Sequence, residues 1–243
     1  MLFDSLQRPL YFITLVIAGF AAILGIILVM HLFNHQKTKN TVNNKILFIF
    51  SFLSIGYVCF ALAEITWFLI FDVFQQLPSA SMPDVYWVAG SFCLLLAFVT
   101  FSVFVHAQHG QVRHGLALFL FAAMVLGGVF YFLLKMGILG GSTTLGQDFL
   151  SHFYPIMSAL ILIASFSVYL FSDKLDTFKN NLILFMIANA AFLLGDLLYT
   201  SYITQEVYGL GGVLSDIFYI AAYALCSGSF FSLIFKVGDN SEE

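Results

Sequence analysis

An all-α membrane protein of seven transmembrane helices is the fold this sequence predicts, and three observations predict it. Of the 243 residues, 61% are hydrophobic and only 9% charged, against about 25% charged in a soluble domain. Seven apolar segments approach or exceed the roughly 20 residues a helix needs to cross a bilayer: about 10–33, 46–71, 85–106, 115–136, 149–171, 181–204 and 216–236. These runs are long and continuous, whereas barrel strands would be alternating segments of about ten residues, so helices are expected. So few charges leave little material for a soluble domain. The chain reads as one multi-pass unit of the cell membrane, with the lipid bilayer as its first partner and no sign of nucleic-acid binding at a net charge of −4.

Orientation follows from where lysine and arginine gather. The first loop holds Lys37, Lys39 and Lys45, the third Arg113, the fifth Lys174 and Lys179, and the tail Lys236. The other side has only Arg8 and Lys135. The N-terminus is therefore expected outside and the C-terminus in the cytoplasm.

The first segment follows Arg8 as a signal peptide would, but it outruns a signal core of roughly 7–15 residues and is expected to be retained as a span. Its Ala18-x-x-x-Ala22 and Ala21-x-x-x-Gly25 pairs allow close helix packing. His31 and His35 share one face near its cytoplasmic end. The second span carries Tyr57, Glu64 and Trp67 on one stripe, with Glu64 in the outer half and Asp72 at the outer end. Ser81-Met82-Pro83-Asp84 has capping-box spacing at the start of the third span, so Asp84 either caps that helix or faces a site together with Trp87 and Ser91.

The next loop holds His106, His109 and His114. With His31 and His35 these could bind a metal or a haem, but no Cys or carboxylate completes the set and no histidine lies deep in a span. Interfacial histidines are the plainer reading, and no cofactor is expected. Cys59, Cys93 and Cys226 are odd in number and scattered, which argues against a disulfide frame or a metal knuckle. Gly127-Gly128 in the fourth span permits tight packing or a kink, and the Gly- and Thr-rich stretch 137–146 reads as a mobile outer loop. The fifth span follows Asp148 and carries Pro155, as the first follows Asp4 and carries Pro9. Asn189, Phe192, Asp196 and Tyr199 line one stripe of the sixth span. Asp216, Tyr219 and Tyr223 line the seventh and continue to Cys226 and Ser227, although Asp216 could instead cap its helix beside Ser215.

An acid inside an apolar segment is costly unless it meets protein or water, and so marks a functional candidate. Two such acids recur with a partner at the same spacing: Glu64 with Asp84, and Asp196 with Asp216. A shift of about 132 to 146 residues lays spans one to three on spans five to seven, with Glu64 on Asp196, Trp67 on Tyr199, Asp84 on Asp216 and Trp87 on Tyr219. This predicts a parallel 3+1+3 repeat, a plan that commonly sets a binding site between the halves. On the expected topology Glu64, Asp72, Asp84, Asp196, Glu206 and Asp216 lie towards the outer face, among aromatic residues. Such a mouth attracts cations, and an aromatic cage with a carboxylate suits an organic cation or amine. A proton or divalent metal is also compatible, and an ordinary aromatic belt would populate the same level. The expected ligand-binding residues are Glu64, Asp196, Asp84, Asp216, Tyr57, Trp67, Trp87, Asn189, Tyr199, Tyr219 and Tyr223.

Leu194-Gly195-Asp196-Leu197-Leu198-Tyr199, Gly209-Leu210-Gly211-Gly212, Asp216-Ile217-Phe218-Tyr219 and Ala222-Tyr223-Ala224-Leu225 follow one another near the C-terminus. Together they resemble the last two spans of the multipass sensory modules that precede diguanylate cyclase, phosphodiesterase or histidine kinase domains. The resemblance implies an outer stimulus pocket and a seventh helix that relays a shift inward. Only Val237 to Glu243 follow Lys236, so the expected output is a separate cytoplasmic signalling protein. The seventh span lacks the interior lysine of microbial rhodopsins, and no Pro-Gln pair of the transporter type occurs.

The leading expectation is thus a sensory or ligand-binding module, and the alternative is a secondary carrier that uses Glu64 and Asp196 as its titrating pair. A carrier should also be polar in its inner half, which here is mostly Leu, Ile, Phe and Ala. An intramembrane enzyme ranks last, because the histidines are largely inside and the acids outside, and no catalytic set shares one depth.

Overall fold

The computed structural model describes residues 4–39, 44–74, 82–107, 112–135, 145–172, 176–205 and 208–239. These form seven helices: α1 Asp4–Lys39, α2 Asn44–Phe68, α3 Met82–His106, α4 Val112–Lys135, α5 Leu145–Leu170, α6 Asp176–Gln205 and α7 Leu210–Asp239. A π-helical turn, Leu69–Val73, extends α2. All seven helices are long and apolar enough to cross a membrane. The helices outrun the apolar segments because hydropathy marks the part that meets lipid, whereas the backbone ladder continues into polar ends. The largest difference is at α1, which runs from Asp4 to Lys39 around the expected 10–33; α7 starts at Leu210, ahead of the expected 216, and takes in Gly211 and Gly212. The stretch 137–146 and His109 lie largely or wholly outside the described residues.

Within the bundle α1 packs on α2 and α7, α5 packs on α6 and α3, and the pairs α2–α3 and α6–α7 are in extensive contact. α4 stands at the edge against α5, where Val129 and Leu133 meet Ala159, Leu162 and Leu193. Small residues set the close crossings. A Cβ on Gly25 would come 3.3 Å from the Ser54 Cα, and one on Gly56 would come 3.2 Å from the Gly90 carbonyl oxygen. Ala18, Ala21, Ala188 and Ala222 are likewise fully buried. Gly127 and Gly128 face open space, and the tight packing the sequence allowed them is absent among the described residues. Large side chains such as Phe20, Met30, Phe119 and Met124 cover the outside, as expected for helices that meet lipid rather than water.

The main core runs through every helix but α4. Few polar ties cross it. The Tyr57 hydroxyl and Cys226 Sγ are 2.6 Å apart, and Ser102 and Ser167 share a hydrogen bond of 2.5 Å. At the far end of α6 and α7, Asn181 Nδ2 donates to the Ser229 carbonyl at 2.9 Å, and Lys236 Nζ donates to Asn181 Oδ1 at 3.0 Å. His31 packs edge-on against His35, while His106 and His114 both pack on Phe171. Among the described residues no three His, Cys, Asp or Glu side chains converge in a way that could hold a metal.

Pro155 lies inside α5. It removes the N–H that would reach the Ser151 carbonyl one turn back. The Thr200 hydroxyl of α6 stands 3.5 Å from that carbonyl oxygen, a long contact that ties α5 to α6 at the level of Asp196.

Candidate functional site

Six helices contribute to one recess at the end of the bundle where α1, α3, α5 and α7 begin and α2 and α6 finish. Tyr11 and Thr14 line it from α1, Phe60, Glu64 and Trp67 from α2, and Trp87, Ser91 and Leu94 from α3. Tyr154, Ser158 and Ile161 come from α5, Asn189, Phe192, Asp196 and Tyr199 from α6, and Gly212, Ser215, Asp216, Tyr219 and Tyr223 from α7, with Tyr208 just ahead of it. The spacing within each helix repeats at three or four residues, so each group forms a single stripe. The recess occupies about 940 Å³, its open mouth included. Among the described residues three carboxyl groups line it, and no Lys, Arg or His side chain does.

Each acid is held by hydroxyl or indole donors from another part of the chain. Glu64 Oε1 accepts from the Tyr223 hydroxyl at 2.9 Å, and the Trp87 indole N–H reaches the same carboxyl group. Asp196 accepts from the Ser158 hydroxyl at 2.5 Å and from the Tyr219 hydroxyl at 2.7 Å. Asp216 accepts from the Tyr208 hydroxyl. These bonds satisfy acids that would otherwise be costly in an apolar bundle. They also link α2 to α7, and α6 to both α5 and α7.

Two glycines make room for this arrangement. A Cβ on Gly195 would lie 2.7 Å from the Tyr219 ring, and one on Gly212 would lie 2.6 Å from the Tyr208 ring. Each ring therefore lies flush on a helix backbone, with its hydroxyl at the neighbouring acid. Ser215 Oγ donates to the Gly195 carbonyl at 2.9 Å and pins the same crossing.

Aromatic rings form the walls. Trp67 and Trp87 are 5.7 Å apart between centroids, Tyr11 meets both Trp67 and Tyr208 at 6.3 Å, and Trp87 meets Tyr154 at 6.2 Å. Lower down, Phe192 packs on Phe60 at 5.7 Å and on Tyr223 at 5.0 Å. Beneath them Tyr57, Phe98, Phe185 and Phe230 are fully buried and lie under the floor. Carboxyl groups ringed by π-faces form a setting in which a cation can be held by charge and by ring quadrupoles together.

Of the residues the sequence singled out, Glu64, Trp67, Trp87, Asn189, Asp196, Tyr199, Asp216, Tyr219 and Tyr223 all line the recess. Tyr57 does not: it lies under the floor, bonded to Cys226. Asp84 does not line it either; its carboxylate accepts from the Tyr154 hydroxyl at 2.6 Å and so braces a wall residue. Asp84 occupies the first turn of α3, while its capping partner Ser81 lies outside the described residues. Asp216 is not a helix cap, because α7 begins well before it. Glu206 and the Asp72 side chain fall outside the described residues.

Tyr11, Thr14, Tyr154, Ser158 and Tyr208 were missed. A signal for two of them was present: Tyr154 adjoins Pro155 and Tyr11 follows Pro9 closely, and these prolines already marked α1 and α5 as similar. No protein-family model, curated protein or solved structure matches the chain.

Proposed function

We propose that this chain is a membrane ligand-binding module whose recess takes an organic cation, and that it signals through a separate cytoplasmic protein. One observation carries the reading: Glu64, Asp196 and Asp216 meet in a single aromatic-walled recess lined, among the described residues, by no basic side chain. A cation in that recess replaces tyrosine hydroxyls as partner of the carboxyl groups and gains the ring faces as well. Tyr219 and Tyr223 both belong to α7. Displacing them loosens or shifts α7 against α6, and the far end of α7 is where Lys236 meets Asn181. The buried plug of Tyr57, Phe98, Phe185 and Phe230 favours a receptor over the alternative, a proton- or cation-coupled carrier.

The same reading makes the bundle two parallel triplets, α1–α3 and α5–α7, with α4 as linker. In its support, α1 packs on α2 and α7 just as α5 packs on α6 and α3. The Glu64–Trp87 and Asp196–Tyr219 pairs correspond under one shift, as do Phe60 and Phe192. The close crossing of Gly56 with Gly90 corresponds to buried Ala188 and Ala222. With Lys45, Lys179 and Lys236 at the end away from the recess, the recess opens to the outside of the cell membrane and the N-terminus lies there too.

Thermal unfolding of the full chain in lipid nanodiscs tests the cation reading, with phenethylamine set against the neutral 2-phenylethanol. The amine is expected to raise the midpoint and the alcohol to leave it unchanged. Asp196→Asn with Glu64→Gln is expected to abolish the amine's effect. Equal shifts from amine and alcohol would falsify a site built for charge.

A further inference from the structure

We infer that the recess selects an amine carrying a hydroxyl or carbonyl oxygen at its far end, and that the Asn189 side-chain amide on the floor donates to that oxygen. The inference rests on the cation reading above and adds which class of amine is taken. Asn189 lines the recess and is only 1% exposed. Among the described residues its Nδ2 has no hydrogen-bond partner. Other hydroxyls of the lining are already engaged: Thr14 donates to the Leu10 carbonyl, Ser91 to the Trp87 carbonyl, and Ser215 to the Gly195 carbonyl, each at 2.9 Å. Buried polar groups are almost always paired, and an unpaired amide in a floor of Phe60, Leu94, Ile161 and Phe192 costs stability that a leucine would not. A bound oxygen atom supplies the missing acceptor.

The geometry sets the length of such a ligand. Asn189 and Asp196 share one stripe of α6 two turns apart, about 10 Å along the axis, and their side chains tilt the same way. An ammonium group at Glu64 and Asp196 therefore leaves the other end of a ligand of phenethylamine length within reach of Asn189. Its middle lies against Phe60, Phe192 and Tyr223.

Isothermal titration of the full chain in nanodiscs compares tyramine with phenethylamine, which lacks only the hydroxyl. Wild-type protein is expected to bind tyramine about tenfold tighter, because a site built to hydrogen-bond a group discriminates against the analogue without it. Asn189→Leu is expected to bring the two amines within about twofold of each other. Asn189→Ala provides the same comparison where the leucine variant does not fold. Equal affinities in the wild type, or a tyramine preference that survives both substitutions, overturn the role of Asn189 and leave the cation reading standing. If neither amine binds, the cation reading falls and this inference falls with it.

Discussion

Tyr223 on α7 donates its hydroxyl hydrogen to Glu64 on α2 at 2.9 Å, joining helices 159 residues apart in sequence. Tyr223 is fully buried and Glu64 partly so, and the bond contributes more by keeping the tyrosine hydroxyl paired than by its own strength. Glu64→Gln and Tyr223→Phe are each expected to destabilise the bundle by about 1–2 kcal/mol. The double variant should lose less than the sum, leaving a coupling of about 1 kcal/mol. Unfolding in mixed micelles measures all four corners of the cycle; strictly additive losses would show that the two side chains do not depend on one another.

Glycine substitutions should sort by what lies over each Cα. At Gly195 a methyl group meets the Tyr219 ring at 2.7 Å, and at Gly56 it meets the Leu94 side chain at 2.7 Å with the Gly90 carbonyl oxygen at 3.2 Å. Alanine at either position is expected to cost about 1–3 kcal/mol through overpacking. Gly127 has nothing within 4 Å, so alanine there should stabilise by up to about 1 kcal/mol through helix propensity alone. The ranking of thermal midpoints checks the prediction, and a Gly195→Ala protein as stable as Gly127→Ala would mean that Tyr219 does not lie on α6.

The recess was partly legible because charge is rare in this chain. Glu64, Asp196 and Asp216 stood out against apolar sequence, and helical spacing tied Trp67, Tyr199, Tyr219 and Tyr223 to them. Tyr208 left no mark of this kind, and the prolines near Tyr11 and Tyr154 marked only the likeness of α1 to α5. The role of these tyrosines depends on which helix faces which, a tertiary fact that spacing within one helix does not contain. Tyr57 erred the other way. It shares the stripe of Glu64 but sits two turns deeper, where Cys226 is its partner. α7 starts ahead of the apolar segment expected at 216–236, because the stretch from Leu210 joins the helix and Gly212 accommodates the Tyr208 ring there.

Tyr57 offers a clean separation of fold from site. Tyr57→Phe removes the hydroxyl bonded to Cys226 and keeps the ring that meets Phe230 edge-on at 5.4 Å. A loss of about 0.5–1.5 kcal/mol is expected, with Cys226→Ala costing at least as much. Phenethylamine affinity should stay within about twofold of wild type, since the substitution lies below the floor and leaves the carboxyl groups in place. A tenfold loss of affinity in Tyr57→Phe would instead make the Tyr57–Cys226 pair part of the binding machinery.

Sidedness can be decided by chemistry at two basic positions. Arg8 begins α1 at the recess end, and Lys45 begins α2 at the opposite end, 5.9 Å above the Phe104 ring. Basic residues favour the cytoplasmic side, and Lys45 belongs to the richer cluster. Arg8→Cys, in a background with Cys59, Cys93 and Cys226 replaced, is expected to react with a membrane-impermeant maleimide on intact cells. Lys45→Cys should react only after permeabilisation. The reverse pattern would turn the recess towards the cytoplasm and make its cation an intracellular one, even with every contact within the bundle unchanged.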